Sequence, residues 1–249
     1  MKIMAKSYPL LLMDIEDILK PPVYDILLGI AVVMGGFNAL IIPVASSVQL
    51  ASTATSVPLF IALIYIAIRC GAGVASLISN NIMQLYLSYP ISRLKMLLML
   101  LFTRILLPIL IIIGLPLLAA TVFLSKIVAS NIIGFLAVFG GRILFLFFLG
   151  VVSLLFALSS KRVGVAVVLS IVFYFAYNMM SGIFMAFSAL LNEKMYMYIA
   201  QSLTFSDTLN AYLMGATETP LWVFIPVPVA TIMLTILSII YFTKRFEPT

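Results

Sequence analysis

Six long apolar stretches leave this chain few folds to choose from. They fall at about residues 25–45, 57–73, 94–124, 132–158, 163–190 and 221–242. A transmembrane helix needs about 20 apolar residues. The runs match that length, so the expected fold is an all-α polytopic membrane protein with six transmembrane helices. Of 249 residues, 64% are hydrophobic and 9% charged, with a mean hydropathy of +1.27; a soluble domain carries about 25% charged residues. That leaves one membrane domain over residues 1–249 and no room for a soluble catalytic one.

The absences are equally restrictive. Histidine is missing and Cys70 is the single cysteine, so intramolecular disulfides are impossible. Zinc sites, histidine haem ligation and Ser-His-Asp catalysis lose their usual groups. No GxxxxGK[ST] run occurs, so no Walker-type nucleotide site is expected. The chain therefore reads as a non-enzyme with no metal and no cofactor of its own. The net charge of +6 suits anionic lipid headgroups; basic residues scattered among spans do not suit nucleic acid. Asp14, Glu16 and Asp17 stand where a signal peptide would need its apolar core.

Taken in order, residues 3–20 are amphipathic, with Leu11, Ile15, Ile18 and Leu19 on one stripe and Asp14, Glu16, Asp17 and Lys20 beside it. Pro21-Pro22 ends them. Residues 1–22 are expected as a helix lying in the membrane interface. The first span holds Asn38, with Gly35 and Ala39 as a small-xxx-small pair that permits close helix approach. Residues 46–56, rich in Ser, Thr and Ala, read as a loop. The third span contains Pro108 and Pro116 and exceeds one bilayer, so extension of spans two and three beyond the membrane is expected. Residues 125–131 read as a short loop and residues 159–162 as a tight basic turn. Residues 191–220 carry two short amphipathic patterns on the outer side.

With six spans and both termini in the cytoplasm, Lys2, Lys6, Lys20, Arg93, Lys95, Lys161, Arg162, Lys244 and Arg245 face inward, and only Lys126 and Lys194 face outward. That distribution obeys the positive-inside rule and points to a multi-pass protein of the cell membrane.

Arg69, Arg104 and Arg142 lie within apolar segments. A membrane-centred arginine costs roughly 2.5 to 3.5 kcal/mol on insertion scales, so each needs a partner. Arg69 and Arg104 are expected to reach headgroups at the inner interface. Arg142 lies deeper, and no carboxylate occupies a span core, leaving backbone carbonyls, lipid phosphate, cavity water or an anionic substrate as its partner. Asn38 and Asn178 suit interhelical hydrogen bonds or a polar path. Tyr174 and Tyr177 suit packing. Cys70 reads as a small apolar residue.

The stretch Asn80-Asn81-Ile82-Met83-Gln84-Leu85-Tyr86-Leu87-Ser88-Tyr89-Pro90-Ile91-Ser92-Arg93 joins spans two and three. Ile82, Leu85, Tyr86 and Tyr89 fall at i, i+3, i+4 and i+7, one face of a short amphipathic helix. Pro90 ends it, and Ser92 is placed to cap the next helix. The run Leu85 to Arg93 is similar to the leucine-leucine-serine-x-proline-(valine or isoleucine)-serine-arginine motif of the membrane subunits of type-2 ATP-binding-cassette exporters. Phe242-Thr243-Lys244-Arg245-Phe246-Glu247 resembles that family's basic C-terminal end. Where many members carry acidic residues and a Gly-Thr pair before the motif, Ser79 to Gln84 are neutral here.

The resemblance implies a permease working as a dimer with a second identical or homologous permease, each half docked on a cytoplasmic ATPase subunit that binds ATP and magnesium. Residues 80–93 would be the coupling segment, with Ile82, Leu85, Tyr86, Tyr89, Pro90 and Arg93 as ATPase-coupling residues. Phe37, Asn38, Arg142, Tyr174, Tyr177 and Asn178 would be candidates along the translocation path, and residues 191–220 the exit gate. A non-transporting membrane scaffold and a secondary transporter remain the alternatives.

Overall fold

The computed structural model describes residues 12, 14–16, 23–41, 45–88, 91–244 and 246. Most of the expected interfacial helix at residues 1–22 lies outside them; Leu12 and residues 14–16 are helical. Among the described residues there is no strand. The helices are α1 (Val23–Ile41), α2 (Ser47–Ser79), α3 (Ile82–Ser88), α4 (Arg93–Phe123), α5 (Ser125–Ser130), α6 (Ile132–Ser160), α7 (Val163–Leu191), α8 (Lys194–Leu203), α9 (Phe205–Leu213) and α10 (Pro226–Lys244), the last entered through a 3-10 turn at Leu221–Phe224. Five of these are long and apolar enough to cross a membrane: α2, α4, α6, α7 and Leu221–Lys244. α1 has 19 residues.

Residues 46–56 are not a loop. Ser46 sits in extended backbone and its side chain accepts from the Gln49 amide at 3.2 Å, capping α2. The hydroxyls that suggested a loop donate back into the helix: Thr53 to the Gln49 carbonyl at 2.6 Å, Thr55 to that of Ala51 at 2.6 Å. Local bonding of this kind lets an apolar helix absorb polar residues. The short loop expected at residues 125–131 is likewise a helical turn, α5.

α2 and α4 run 33 and 31 residues, roughly 45–50 Å at 1.5 Å per residue, against a hydrocarbon core of about 30 Å. Both widen into π-helix, at Ile66–Cys70 and Leu101–Leu106. In α4 the cause is Pro108, which has no N–H to give the carbonyl four residues back, that of Arg104. Cys70 fills the gap, its Sγ donating to the Arg104 carbonyl at 2.7 Å. The cysteine read as an inert space-filler therefore links the two π segments.

Gly35 brings α1 close to two further prolines. A Cβ there would stand 2.6 Å from the Ala54 carbonyl, which Pro58 leaves without its helical donor, and 2.8 Å from Pro116 Cβ. α1 thus packs on α2 and α4, as the small-residue pair anticipated; the side chain of Ala39 lies outside the described residues.

α6 is the central helix, with Phe145, Leu146, Leu149, Val151 and Leu154 in the main core against Ile66 and Val74 of α2 and Ile105 and Ile109 of α4. A smaller cluster around Val48, Leu50, Leu117 and Phe135 closes the end near α5. α7 and α10 are different. Only 17% and 22% of their most apolar windows are buried, against 61–67% for α2, α4 and α6, so they turn large apolar faces outward.

Candidate functional site

Two ends of the bundle carry the polar architecture. At the first, α2 passes into α3 through Asn80 and Asn81. Asn81 has a φ of 60°, the left-handed conformation that asparagine tolerates better than most residues. α3 then turns Met83 and Tyr86 inward, at 0% and 6% exposure, and leaves Ile82 and Leu85 outward at 38% and 57%. The stripe expected over Ile82, Leu85, Tyr86 and Tyr89 is therefore split: Tyr86 belongs to this chain's core, and Ile82 and Leu85 are a partly exposed apolar pair. Tyr89 and Pro90 lie outside the described residues. Ser92 caps α4 as expected, accepting from the Lys95 amide at 3.4 Å.

Arg93 is engaged within the chain. Its Nη1 donates to the Phe246 carbonyl at 3.1 Å and lies 3.5 Å from that of Thr243. Phe246 stacks on Phe242 with ring centroids 5.0 Å apart, and Lys161 Nζ sits 5.8 Å from the Phe246 centroid. Lys161 itself ends α6 with a φ of 55°, making the tight turn the sequence suggested. The start of α4, the α6–α7 turn and the end of α10 are thereby tied together.

Behind α3 lies a buried ion pair. Arg104, expected at the headgroups, is 6% exposed and pairs with Asp14, which is 0% exposed. Arg104 Nε donates to Asp14 Oδ1 at 2.9 Å, and Nη2 and the Thr103 hydroxyl also donate to that carboxylate. Asp14, read as a flanking polar residue of an interfacial helix, is the internal anchor of the N-terminal segment. Gly73 makes room for the guanidinium, since a Cβ there would be 3.0 Å from Arg104 Nη1. Arg69 is half-buried and, among the described residues, makes no hydrogen bond or ion pair.

At the opposite end, α9 is pinned to α6. Arg142 Nη1 donates to Asp207 Oδ1 at 2.7 Å and to Ser206 Oγ at 3.0 Å. Its partner is thus a carboxylate from the segment after α7, which none of the sequence alternatives included. Arg142 Nε is buried with no partner among the described residues. One turn on, Asn210 Nδ2 donates to Ser52 Oγ of α2 at 2.6 Å, while its Oδ1 is buried without one.

Of the remaining path candidates, those on α1 and those on α7 are not brought together in this chain. Phe37 and Asn38 sit on α1, which packs on α2 and α4; α7 packs on α2, α6 and α8. Phe37 is exposed and Asn38 half-buried. Asn178 is exposed and donates to the carbonyl of Tyr174 at 2.8 Å, within its own helix. Tyr177 packs on Phe145, Phe148 and Phe173, at centroid distances of 5.7–6.1 Å, and its buried hydroxyl has no partner among the described residues. No protein-family description, curated protein or solved structure matches this chain.

Proposed function

We propose that the chain is the membrane-spanning permease subunit of an ATP-driven exporter, fuelled by a separate cytoplasmic ATPase. On this reading α1 is a sixth span, both termini and α3 lie in the cytoplasm, and α8 and α9 lie outside. Two copies, or this chain and a homologous permease, enclose the path, and ATP and magnesium sit on the ATPase subunit.

The observation that supports the reading is the build of α3. Two helices longer than a bilayer are joined by a short helix that, among the described residues, leaves Ile82 and Leu85 38% and 57% exposed at the edge of a space lined also by Ser76, Leu77 and Arg104. An apolar pair held out on rigid levers suits a groove on another protein, and Met83 and Tyr86 anchor the other face so that a push on α3 reaches α2 and α4. The Asp14–Arg104 pair would carry the same displacement into the N-terminal segment.

The test is co-purification with a candidate cytoplasmic ATPase co-expressed with the chain, followed by vanadate-sensitive hydrolysis in lipid. Ile82→Asp with Leu85→Asp should release the ATPase or uncouple hydrolysis from transport while membrane insertion stays intact. Unchanged docking and coupling would overturn the assignment of α3. An ATPase that docks without any substrate moving would favour the scaffold.

A further inference from the structure

A groove of about 220 Å³ opens between α2 and α7 on the outward face of the bundle. Phe60, Ile64 and Ile68 of α2 wall it with Ile171 and Phe175 of α7. Leu63, Ala67 and Tyr174 line both this groove and a narrower pocket that reaches Ser153 of α6 and Ser170 of α7. The narrow pocket holds about 10 Å³, close to the space of one water-sized group.

Ser153 is 4% exposed and lines that pocket, yet its hydroxyl makes no hydrogen bond among the described residues. The hydroxyl opens onto the pocket, so a polar group seated there can pair with it. Ser170 gives its proton to the Ala166 carbonyl at 2.8 Å, which leaves its oxygen free to accept. The pocket therefore offers one donor and one acceptor side by side. A hydroxyl group, which accepts and donates at once, matches both. No charged side chain lines either space, so a carboxylate, phosphate or ammonium would be stranded without a counter-charge.

We propose that the groove and pocket form one site for an uncharged, elongated apolar molecule with a terminal hydroxyl. The hydroxyl sits between Ser153 and Ser170, and the tail lies along Ile64, Ile68, Ile171 and Phe175. From Phe60 to Ile68 the wall runs about 12 Å along the helix axis, which sets the length of tail enclosed. The surrounding helix faces are apolar, so the ligand enters from lipid. Under the exporter reading this molecule is the substrate, but the site is defined by binding alone and stands or falls without the ATPase.

The test uses the full chain in zwitterionic nanodiscs with a diazirine-bearing long-chain alcohol, mapping the label by mass spectrometry. Labelling should concentrate on residues 60–68 and 171–175. Dodecan-1-ol should compete about five- to tenfold better than dodecane, the range one hydrogen bond provides, and dodecyl sulfate and dodecylamine should compete no better than dodecane. Ser153→Ala should reduce the preference for the alcohol severalfold, leaving only the bond to Ser170, with competition by dodecane unchanged. Ile64→Trp, at a position already exposed to lipid, should fill the groove and remove labelling. Equal competition by alcohol and alkane in the native chain, a preference undiminished in Ser153→Ala, or label spread evenly over the outer faces of α7 and α10 would each overturn the proposal.

Discussion

Arg142 and Asp207 form one ion pair, yet removing the aspartate should cost far more than removing the arginine. The side chains are 4% and 68% exposed. Asp207→Ala leaves a guanidinium inside the protein with Ser206 as its remaining partner and with Nε already unpartnered. Breaking a fully buried pair costs about 3–5 kcal/mol. Solvent on the Asp207 side can reach part of the vacated space, which brings the expected cost to about 2–3 kcal/mol. Arg142→Met removes the buried charge and the orphan Nε together, keeps an unbranched stem in the packing, and returns an already exposed carboxylate to water. Its cost should be about 1 kcal/mol or less. The double variant should match Arg142→Met alone. Equilibrium unfolding by SDS in mixed micelles measures all three. If Arg142→Met proves as destabilising as Asp207→Ala, the pair is a net source of stability and the asymmetry drawn from burial is wrong.

Other expectations follow from the same contacts. Gly35→Leu should separate α1 from α2 and α4, because the Ala54 carbonyl and Pro116 are backbone-fixed obstacles; a cost of at least about 1–3 kcal/mol and loss of α1–α4 cysteine cross-linking are expected. Asp14→Ala should destabilise by about 3 kcal/mol, since Arg104 stays buried, and adding Arg104→Met should recover most of it. Arg93→Ala should leave α3 in place but release the end of α10, seen as faster trypsin cleavage after Lys244, because the Phe246 carbonyl loses its donor.

The long helices were readable because apolar runs of bilayer length allow little else, and their punctuation was readable where side-chain chemistry acts over three or four residues. Ser92 as a cap and Lys161 in the turn are of this kind. What escaped were pairings between distant segments. Asp14 and Arg104 are 90 residues apart, Arg142 and Asp207 65, and no local window relates a polar flank or a short helix after α7 to an arginine in a long apolar helix. Cys70 escaped for the same reason: its role depends on a carbonyl that Pro108 strands on another helix. The loop at residues 46–56 was misread because composition counts hydroxyls without asking where they donate. Periodicity placed Leu85 and Tyr86 on one α3 stripe, but a one-residue difference in facing decides which is core and which is surface, and packing alone fixes that.

The most direct measurement is photocross-linking from position 85. A benzoylphenylalanine in place of Leu85, in cells, should capture a single ATP-hydrolysing polypeptide from the cytoplasmic side, and adding Ile82→Asp should reduce the yield. Capture of lipid alone, or labelling of position 85 by a reagent confined to the cell exterior, would contradict the account.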